Sequence, residues 1–298
     1  MRVFVTGASG WIGSAVVPEL LNAGHQVLGL ARSDSAAASL AALGAEVHRG
    51  GLDDPDSLHA GAAASDGVVH LAYNHDFSRM EDAAKTDRQA IETIGSALAG
   101  SDRPFVIASG VLGLADGRLA TERDEPDPSA HPRVANARTA LSFAGQGVRT
   151  SAVRFAPTVH GAGDHGFVAT LVGIAREKGV SAYIGDGSNR WPAVHQLDAA
   201  ALVRLAVLDA PAGSVLHAVA EEGVPARAIA ETIGRHLDLP VVSVPADQAA
   251  DHFGWLGRFF GTDCAASNEL TRELLGWQPS HPGLIEDLEQ GHYFQLPS

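Results

Sequence analysis

The strongest constraint on the fold is a glycine-rich segment near the start of the chain, residues 6–13, which reads TGASGWIG. It directly follows an apolar run, residues 2–6, that is typical of a buried strand, and it opens a longer run with helical periodicity. Glycines at this spacing allow a tight turn, close approach of the backbone to a pyrophosphate, and close packing of helix on strand. The amide groups and dipole at the helix start then favour a phosphate. The segment predicts a dinucleotide-binding turn, with cofactor contacts from Gly7, Ser9, Gly10, Trp11, Ile12 and Gly13.

The rest of the first half alternates short apolar runs with longer Ala-rich or amphipathic runs. This pattern predicts strands at residues 2–6, 26–30, 45–48, 68–71, 105–108 and 149–154, and helices at residues 11–23, 34–43, 55–60, 80–99 and 134–147. Strands that are apolar on both faces and separated by helices indicate a parallel sheet covered on both sides. The predicted fold is therefore α/β, a Rossmann-type doubly wound parallel sheet with a smaller C-terminal substrate-binding region.

The pattern changes after Gly161, where glycines, aromatic residues and shorter elements replace the regular alternation. We therefore assign residues 1–160 to a dinucleotide-binding Rossmann domain, and residues 161–190 and 221–298 to the substrate-binding region. Residues 191–220 include a predicted helix at 196–209 and a predicted strand at 214–220, and this segment is expected to return to the main sheet. Further helices are predicted at residues 226–237, 246–259 and 267–275.

The acidic balance of the chain limits its partners. Asp and Glu number 35 against 21 Lys and Arg, which gives a formal net charge of −14. Such a charge repels nucleic acids and anionic membranes, so neither is a predicted partner, and a small-molecule substrate is expected instead. Cys264 is the only cysteine, so neither a disulfide within the chain nor a metal site is predicted. Because no apolar run approaches the roughly 20 residues that span a bilayer, we expect a cytoplasmic protein.

The end of the second predicted strand bears on the choice of cofactor. In Rossmann folds, an acidic residue there binds the 2′-hydroxyl of NAD, whereas an arginine pairs with the 2′-phosphate of NADP. Here the strand ends Leu30-Ala31-Arg32-Ser33, without a carboxylate at its tip. The Arg32 guanidinium matches a phosphate and Ser33 adds a hydroxyl, so NADP(H) is the favoured cofactor. The nearby Asp34 keeps NAD(H) open as the alternative.

Six further motifs follow the glycine turn along the chain. They read GLDD at residues 51–54, VHLA at 69–72, FVIAS at 105–109, VRFAPTVHG at 153–161, VHQLD at 194–198 and LGWQP at 275–279. Together with the turn, this ordered set resembles the extended branch of the short-chain dehydrogenase/reductase superfamily, which includes sugar-nucleotide epimerases and dehydratases. The resemblance spans nearly the whole chain, so it is more specific than any one motif.

The resemblance implies further cofactor contacts and an assembly. By this resemblance, the adenine is expected to contact Leu52 and Asp53. The middle of the cofactor is expected to contact Leu71, Ala72 and Tyr73, and the nicotinamide to contact Pro157, Thr158 and Val159. Because family members often pair through the fourth and fifth helices, the resemblance also suggests a homodimer through residues 80–99 and 134–147.

The catalytic helix departs from the family pattern. Members usually carry a Tyr that exchanges a proton with the substrate oxygen and, four residues later, a Lys that lowers the pKa of this Tyr. Here residues 132–140 contain neither residue type, and Val134 and Arg138 occupy the two places. The chain thus resembles atypical subgroups that keep the cofactor turn and lose the Tyr–Lys pair. Arg138 is predicted to hold the nicotinamide ribose, but as a permanent cation it cannot relay protons.

Other residues must then handle the proton. Ser109 follows the fifth strand, where the family uses Ser or Thr to polarise the substrate oxygen, and it is also expected to touch the cofactor. Tyrosine can donate a proton, and histidine titrates near physiological pH. The predicted catalytic candidates are Ser109, Tyr73, His160 and Tyr183, and further histidines in the same region are His75, His165 and His195, the last expected to be structural.

Three functions compete on these observations. The leading interpretation is an atypical NADP(H)-dependent oxidoreductase that acts on a small or medium apolar carbonyl or an activated alkene. A sugar-nucleotide epimerase or dehydratase is the second, because Arg190 resembles a residue with which such enzymes hold a diphosphate, although the missing pair removes the base that this chemistry needs. A non-catalytic protein that senses NADP(H) is the third, because a cofactor turn without the catalytic pair suits a regulatory protein.

Overall fold

A computed structural model describes residues 1–74, 79–115, 117–127 and 132–295 of the chain. Within these ranges the strands are, in chain order, β1 (Arg2–Thr6), β2 (Gln26–Ala31), β3 (Glu46–Arg49), β4 (Gly67–His70), β5 (Pro104–Gly110), β6 (Arg149–Phe155), β7 (Thr158–His160), β8 (Ser181–Ile184), β9 (Arg190–His195), β10 (Ser214–Ala218), β11 (Glu221–Pro225) and β12 (Val241–Val244). The α-helices are, in the same order, α1 (Gly13–Asn22), α2 (Asp34–Ala42), α3 (Pro55–Ala63), α4 (Met80–Leu98), α5 (Pro132–Ser142), α6 (Phe167–Lys178), α7 (Gln196–Asp209), α8 (Ala226–Leu237), α9 (Ala249–Phe253), α10 (Gly257–Phe260), α11 (Glu269–Leu275) and α12 (Leu284–Glu289).

The largest sheet has seven strands in the order β3-β2-β1-β4-β5-β6-β10, and every neighbouring pair is parallel. From β1 the chain builds the sheet in one direction through β2 and β3, and from β4 it builds in the other. The strand order therefore reverses between β1 and β4, and sheets of this kind bind ligands beyond the carboxyl ends of the strands at such a reversal. The predicted α/β doubly wound fold is confirmed, and the glycine turn lies at the reversal.

The two faces of this sheet are covered by different helices. Alternate residues of β5 point to opposite faces, as the period of a strand requires. Val106 packs into a core cluster that includes the buried side chains of α1 and α7, whereas Phe105 and Ile107 pack into a cluster that includes those of α3, α4 and α5. Covering both faces explains why the strands read as continuous apolar runs in the sequence.

The C-terminal part of the chain builds two smaller sheets around a core of its own. One has the order β11-β9-β7 and the other pairs β12 with β8. Within the segment 191–220, β9 belongs to the three-stranded sheet, whereas β10 extends the large sheet beside β6, and α7 packs against α1. The division of the chain into residues 1–160, 161–190 and 221–298 stays a prediction.

Two predicted elements differ from the structure. The predicted helix at residues 246–259 is helical throughout but not continuous, because 3₁₀ turns at Ala246–Gln248 and Gly254–Leu256 alternate with α9 and α10. Gly254 interrupts the helical path, since its φ of +58° lies in the left-handed region. The predicted strand at 214–220 ends at Ala218, and β11 follows it after two residues.

Within the ranges that the structure describes, no helix is both long and apolar enough to cross a membrane.

Candidate functional site

The glycine turn joins β1 to α1 as the sequence predicts. Gly7 has a φ of +67°, and its carbonyl oxygen accepts a hydrogen bond from the amide of Gly10 at 3.0 Å. No described side chain caps α1 at Ile12, and the first turn of any helix leaves amide groups without acceptors inside the helix. Ser9 and Gly10 are exposed, so these amide groups lie beside an open surface at the carboxyl end of β1.

Trp11 ties the glycine turn to the segment that follows β6. Its indole Nε1 donates to the Val159 carbonyl oxygen at 2.8 Å, and the Gln196 side-chain amide donates to the Trp11 carbonyl. The His165 ring lies edge-on to the indole, 5.7 Å between ring centres. The structure therefore brings the predicted pyrophosphate contacts and the predicted nicotinamide contacts of β7 together, across about 150 residues of sequence.

The residues beyond β2 and β3 form a basic corner. Arg32 is exposed directly after β2, and the Ser33 hydroxyl caps α2 by accepting from the Ala36 amide at 3.2 Å. Asp34, the acidic residue that favoured NAD(H), forms an ion pair with Arg49 at 2.6 Å. Arg49 ends β3 and pairs in register with Ala31, so a second guanidinium lies at the same edge as Arg32. Sequence reasoning missed Arg49, although its place at the end of a predicted strand was a usable signal.

Two further predicted adenine contacts follow β3. Leu52 is partly buried against the core cluster on the α3 face, and Asp53 is exposed beside it. Both therefore lie near the basic corner, at the carboxyl end of the strands.

A buried chain of hydrogen bonds fixes the end of β4. The Thr6 hydroxyl lies 2.7 Å from Nδ1 of His70, and Nε2 of His70 lies 3.1 Å from Asp87 on α4. The other Asp87 oxygen accepts from the Asn136 amide on α5 at 2.7 Å, and the Ala72 amide donates to the Thr6 hydroxyl. A Thr6 hydroxyl that donates to Nδ1 of His70 and a proton on Nε2 that is donated to Asp87 satisfy these contacts. Burial alone would raise the pKa of Asp87, but its hydrogen bonds to His70 and Asn136 and the charge of Arg133 hold that pKa below its usual value.

Tyr73 directly follows Ala72, the last residue of this hydrogen-bond chain. It lies beside the positive charge of Arg133, a residue that the sequence analysis did not single out. The Arg133 guanidinium carbon is 4.2 Å from the centre of the Tyr73 ring, within the range of a cation–π contact. Burial raises the pKa of the Tyr73 phenol, and the charge of Arg133 opposes that shift. Arg133 directly precedes Val134, which occupies the place of the family's Tyr, so its position in the sequence was a usable signal.

Ser109 begins a row of polar residues across three neighbouring strands. In the parallel register Ser109 of β5 aligns with Arg154 of β6, which aligns with His217 of β10. All three are buried, and Arg154 lies 3.4 Å from Nε2 of His217. Burial lowers the pKa of His217 and of Arg154. Ser109 thus lies near the carboxyl end of β5. Tyr73 lies just beyond the carboxyl end of the neighbouring strand, β4.

Two other predicted site residues have partners elsewhere. The Arg138 guanidinium forms an ion pair with the exposed Glu125 at 3.1 Å. Tyr183 lies on β8, where its ring is 5.5 Å from the Arg227 guanidinium and in contact with Gly187. β8 belongs to the two-stranded sheet with β12, whereas Ser109 lies on β5 of the large sheet. His75 lies outside the described residues.

His160 is fully buried at the end of β7. Its Nδ1 lies 2.9 Å from Asp287 on α12, and its ring lies edge-on to His195 at 5.4 Å between ring centres. His195 itself accepts from the Leu197 amide at the start of α7, and burial lowers the pKa of its ring. His160 therefore connects β7 to the C-terminal helix α12.

Arg190, the residue that resembles a diphosphate contact of sugar-nucleotide enzymes, forms an ion pair within the chain. Arg190 is held by Asp263 through two hydrogen bonds, at 3.0 Å and 2.8 Å, so its fork already has a carboxylate partner. Within the described ranges, no cluster of three or more His, Cys, Asp or Glu side chains has the arrangement of a metal site.

Comparisons with known proteins agree with this architecture. Residues 3–219 match the family described as the NAD dependent epimerase/dehydratase family. An uncharacterized protein of Schizosaccharomyces pombe is 50% identical over 295 residues, which cover 99% of this chain and 100% of that protein. A 4-hydroxy-2-methyl-3-oxo-4-farnesyl-3,4-dihydroquinoline-1-oxide ketoreductase of Stigmatella aurantiaca is 28% identical over 274 residues, which cover 85% of this chain and 80% of that protein.

A solved structure shares the fold over almost the whole chain. It is that of MoeE5 in complex with UDP-glucose and NAD, with a TM-score of 0.75, 21% sequence identity, and coverage of 98% of this chain and 97% of that chain. At this identity the likeness establishes the shared fold alone.

Proposed function

The chain belongs to the NAD dependent epimerase/dehydratase family, and we propose on this premise that it is an NADP(H)-dependent reductase of small or medium apolar carbonyls or activated alkenes. The observation that carries the proposal is the intact glycine turn with the basic corner beside it, where Arg32 and Arg49 end two neighbouring strands. The MoeE5 structure contains NAD, which supports a nicotinamide cofactor in this chain as well.

The glycine turn fits a pyrophosphate. A Cβ added at Gly10 would meet, among the described residues, only the Gly7 carbonyl oxygen, at 3.2 Å, so the outer side of the turn is open. Because α1 begins there without a side-chain cap, its first amide groups can donate to phosphate oxygens. The turn would hold the pyrophosphate, and Pro157, Thr158 and Val159 would lie at the nicotinamide end through the link from Trp11 to Val159.

The basic corner fits the 2′-phosphate of NADP(H). Arg32 is exposed at the tip of β2, and Arg49 forms an ion pair with Asp34, the carboxylate two residues after Arg32. A guanidinium pairs with phosphate through two parallel hydrogen bonds, which a 2′-hydroxyl cannot accept as well. The proposal therefore favours NADP(H) over NAD(H).

The C-terminal core has an aromatic surface, formed by Phe167 and Trp255, that would suit an apolar substrate. The partly buried Phe167 at the start of α6 lies 5.5 Å, between ring centres, from the exposed Trp255 and from the buried Trp191. Leu112, three residues after Ser109, packs against the same core cluster, so this surface begins near the carboxyl end of β5. The Stigmatella aurantiaca relative is named as a ketoreductase, which supports reduction of a carbonyl here.

Reduction of a carbonyl requires the chain to hold the carbonyl oxygen and to give it a proton. A reduced nicotinamide, when bound, would supply a hydride to the carbonyl carbon. Ser109 at the end of β5 would hold the carbonyl oxygen with its hydroxyl, and Tyr73 beyond the end of β4 would give that oxygen a proton. Since β4 and β5 are neighbours, both hydroxyl-bearing residues lie at the same edge of the sheet.

The sugar-nucleotide alternative has one observation in its favour, the shared fold with a structure that contains UDP-glucose. Against it, no Tyr in the chain has a Lys four residues later, and Asp263 already holds Arg190. Calorimetry with UDP-glucose distinguishes the two: the reductase proposal expects no binding, and micromolar binding with retained NAD would favour the epimerase or dehydratase.

The cofactor preference gives the first prediction. Arg32→Ala is expected to weaken NADPH binding about 10- to 100-fold and to leave NADH binding unchanged, because only the 2′-phosphate loses a charge-assisted hydrogen bond. Isothermal titration calorimetry of both cofactors measures this. Arg235→Ala, which removes another exposed arginine on α8, is the matched control and should change neither affinity. Equal affinity of the wild-type protein for NADH and NADPH would contradict the assignment.

Turnover tests the reductase proposal itself. NADPH oxidation is followed against a panel of apolar ketones, aldehydes and enones, with cofactor binding verified by calorimetry. Complete inactivity of a protein that binds NADPH would refute the reductase and favour a non-catalytic NADP(H)-sensing protein.

We also propose a homodimer through α4 and α5, on family likeness. These helices pack against each other on one face of the large sheet. Light scattering in solution tests the assembly, and a monomer at micromolar concentration would contradict it.

A further inference from the structure

We infer that Arg133 is the positioning residue that enables Tyr73 to give and recover a proton, as the substitute for the family's Tyr–Lys pair. The inference rests on the proposed reductase function and names the residues that complete its site. It follows from the geometry of three elements that meet behind Tyr73: the end of β4, the middle of α4 and the first turn of α5.

The contact between the two side chains is close and sheltered. The Arg133 guanidinium carbon stands 4.2 Å from the centre of the Tyr73 ring. Both residues are only partly accessible, so water screens the interaction less than it would at the surface. A positive charge at this distance stabilises a phenolate relative to a phenol, which is the effect that the Lys has on the family's Tyr.

The hydrogen bonds of Asp87 fix the turn of α5 that carries Arg133. Asp87 has both carboxylate oxygens in hydrogen bonds, one with His70 and one with Asn136, so it is satisfied without Arg133. Asn136 lies three residues after Arg133 on α5, which places both side chains on one face of the helix. The Asp87 network therefore sets the start of α5, and with it the guanidinium, against the end of β4.

The charges that face Tyr73 oppose one another. Burial raises the pKa of the phenol, Arg133 on α5 lowers it, and Asp87 on α4 raises it. His70 of β4 lies between Thr6 and Asp87. Tyr73 thus stays protonated at neutral pH and is ready to act as an acid, while Arg133 limits the cost of the phenolate.

A bound reduced nicotinamide would supply the hydride by cleavage of its own C–H bond, so that a C–H bond would form at the carbonyl carbon and the C=O π pair would move to the oxygen. The O–H bond of Tyr73 breaks, its proton passes to that oxygen to give the alcohol, and the electron pair stays on the phenolate beside Arg133. The phenolate then takes a proton from water. Arg133 keeps its charge throughout, so it assists through Tyr73 and transfers no proton.

A titration of the tyrosines without cofactor tests this inference. The chain has three tyrosines, and burial beside Asp164 holds the pKa of Tyr293 far above the accessible range. In a Tyr183→Phe background, the ultraviolet absorbance of phenolate therefore reports Tyr73 alone. Arg133→Gln is expected to raise the midpoint of that titration by about 1 pH unit or more, and Arg133→Lys by less.

The controls separate this inference from the reductase proposal. Arg88→Gln removes an exposed arginine of α4 that pairs with Glu92, and it should leave the midpoint unchanged. Arg133→Met, which keeps an unbranched side chain and removes the charge, should also raise the midpoint and gives a second test if Arg133→Gln does not fold. An unchanged midpoint in Arg133→Gln, or in Arg133→Met where Arg133→Gln does not fold, would overturn the inference whether or not the protein reduces carbonyls. A raised midpoint supports it independently of any activity, because neither cofactor nor substrate is present in the titration.

Discussion

Replacing Gly7 with alanine is expected to lower the melting temperature by about 10 °C and to remove measurable NADPH binding. Gly7 has a φ of +67°, and a Cβ there would stand 2.6 Å from the Ala72 amide nitrogen and 2.9 Å from the Leu71 carbonyl carbon. These are backbone atoms at the end of β4, so no side-chain rotation can relieve the clash. Strain and displacement together should cost about 3–5 kcal/mol, which corresponds to about 10 °C for a chain of this size.

Gly24→Ala separates backbone strain from the clash with the end of β4 as causes of the lost stability in Gly7→Ala. Gly24 has a φ of +81°, but a Cβ there would meet no described atom within 4 Å. It should therefore cost only the backbone strain, about 1 kcal/mol, and leave NADPH binding intact. Thermal denaturation followed by circular dichroism and calorimetric titration measure both variants. Equal losses in Gly7→Ala and Gly24→Ala would show that the turn does not pack against the end of β4 as described.

The fold of the first half was predictable because its signals are local. Most strands from β1 to β6 are short apolar runs bounded by turn residues, with the largely polar β3 as the exception, and the structure places each within about two residues of the predicted bounds. Glycine spacing and periodicity are properties of neighbouring residues, so one sequence reveals them. The break within the helical stretch at 246–259 was missed for the same reason, because its helical composition concealed the left-handed backbone at Gly254.

The candidate site was predictable only where it is continuous in sequence. The glycine turn and Arg32 follow their strands directly, so strand position was enough to find them. The network behind Tyr73 joins His70 to Asp87, 17 residues apart, and Asp87 to Asn136, 49 residues apart. Such contacts depend on how α4 packs against α5, and no periodicity within either helix encodes that packing.

His160 is another residue whose contacts could not be predicted, because its partner is distant in the sequence. Its place directly after Pro157, Thr158 and Val159 suggested a proton donor, but the side chain alternation of β7 turns it into the interior. There it meets Asp287, 127 residues away. We propose that His160 is a structural link between β7 and α12.

Replacing Asp287 with alanine is accordingly expected to cost about 3 kcal/mol of unfolding free energy and to lower the melting temperature by about 6–12 °C. Asp287 is 2% exposed and His160 is fully buried, with 2.9 Å between Oδ2 and Nδ1. Removing the carboxylate leaves a buried imidazole nitrogen without its acceptor and opens a cavity beside it, and both effects act in the same direction. Differential scanning calorimetry measures the change.

The conservative variant then separates the structural role from a catalytic one. Asp287→Asn keeps a side-chain oxygen that can accept from Nδ1 of His160, so most of the lost stability should return. Asp247→Asn, at an exposed position, is the matched control and should leave the melting temperature unchanged. A structural link predicts that His160→Gln lowers the melting temperature while the folded fraction retains its kcat. If His160→Gln instead abolished turnover with little loss of stability, His160 would be the proton donor, and Tyr73 would lose that role.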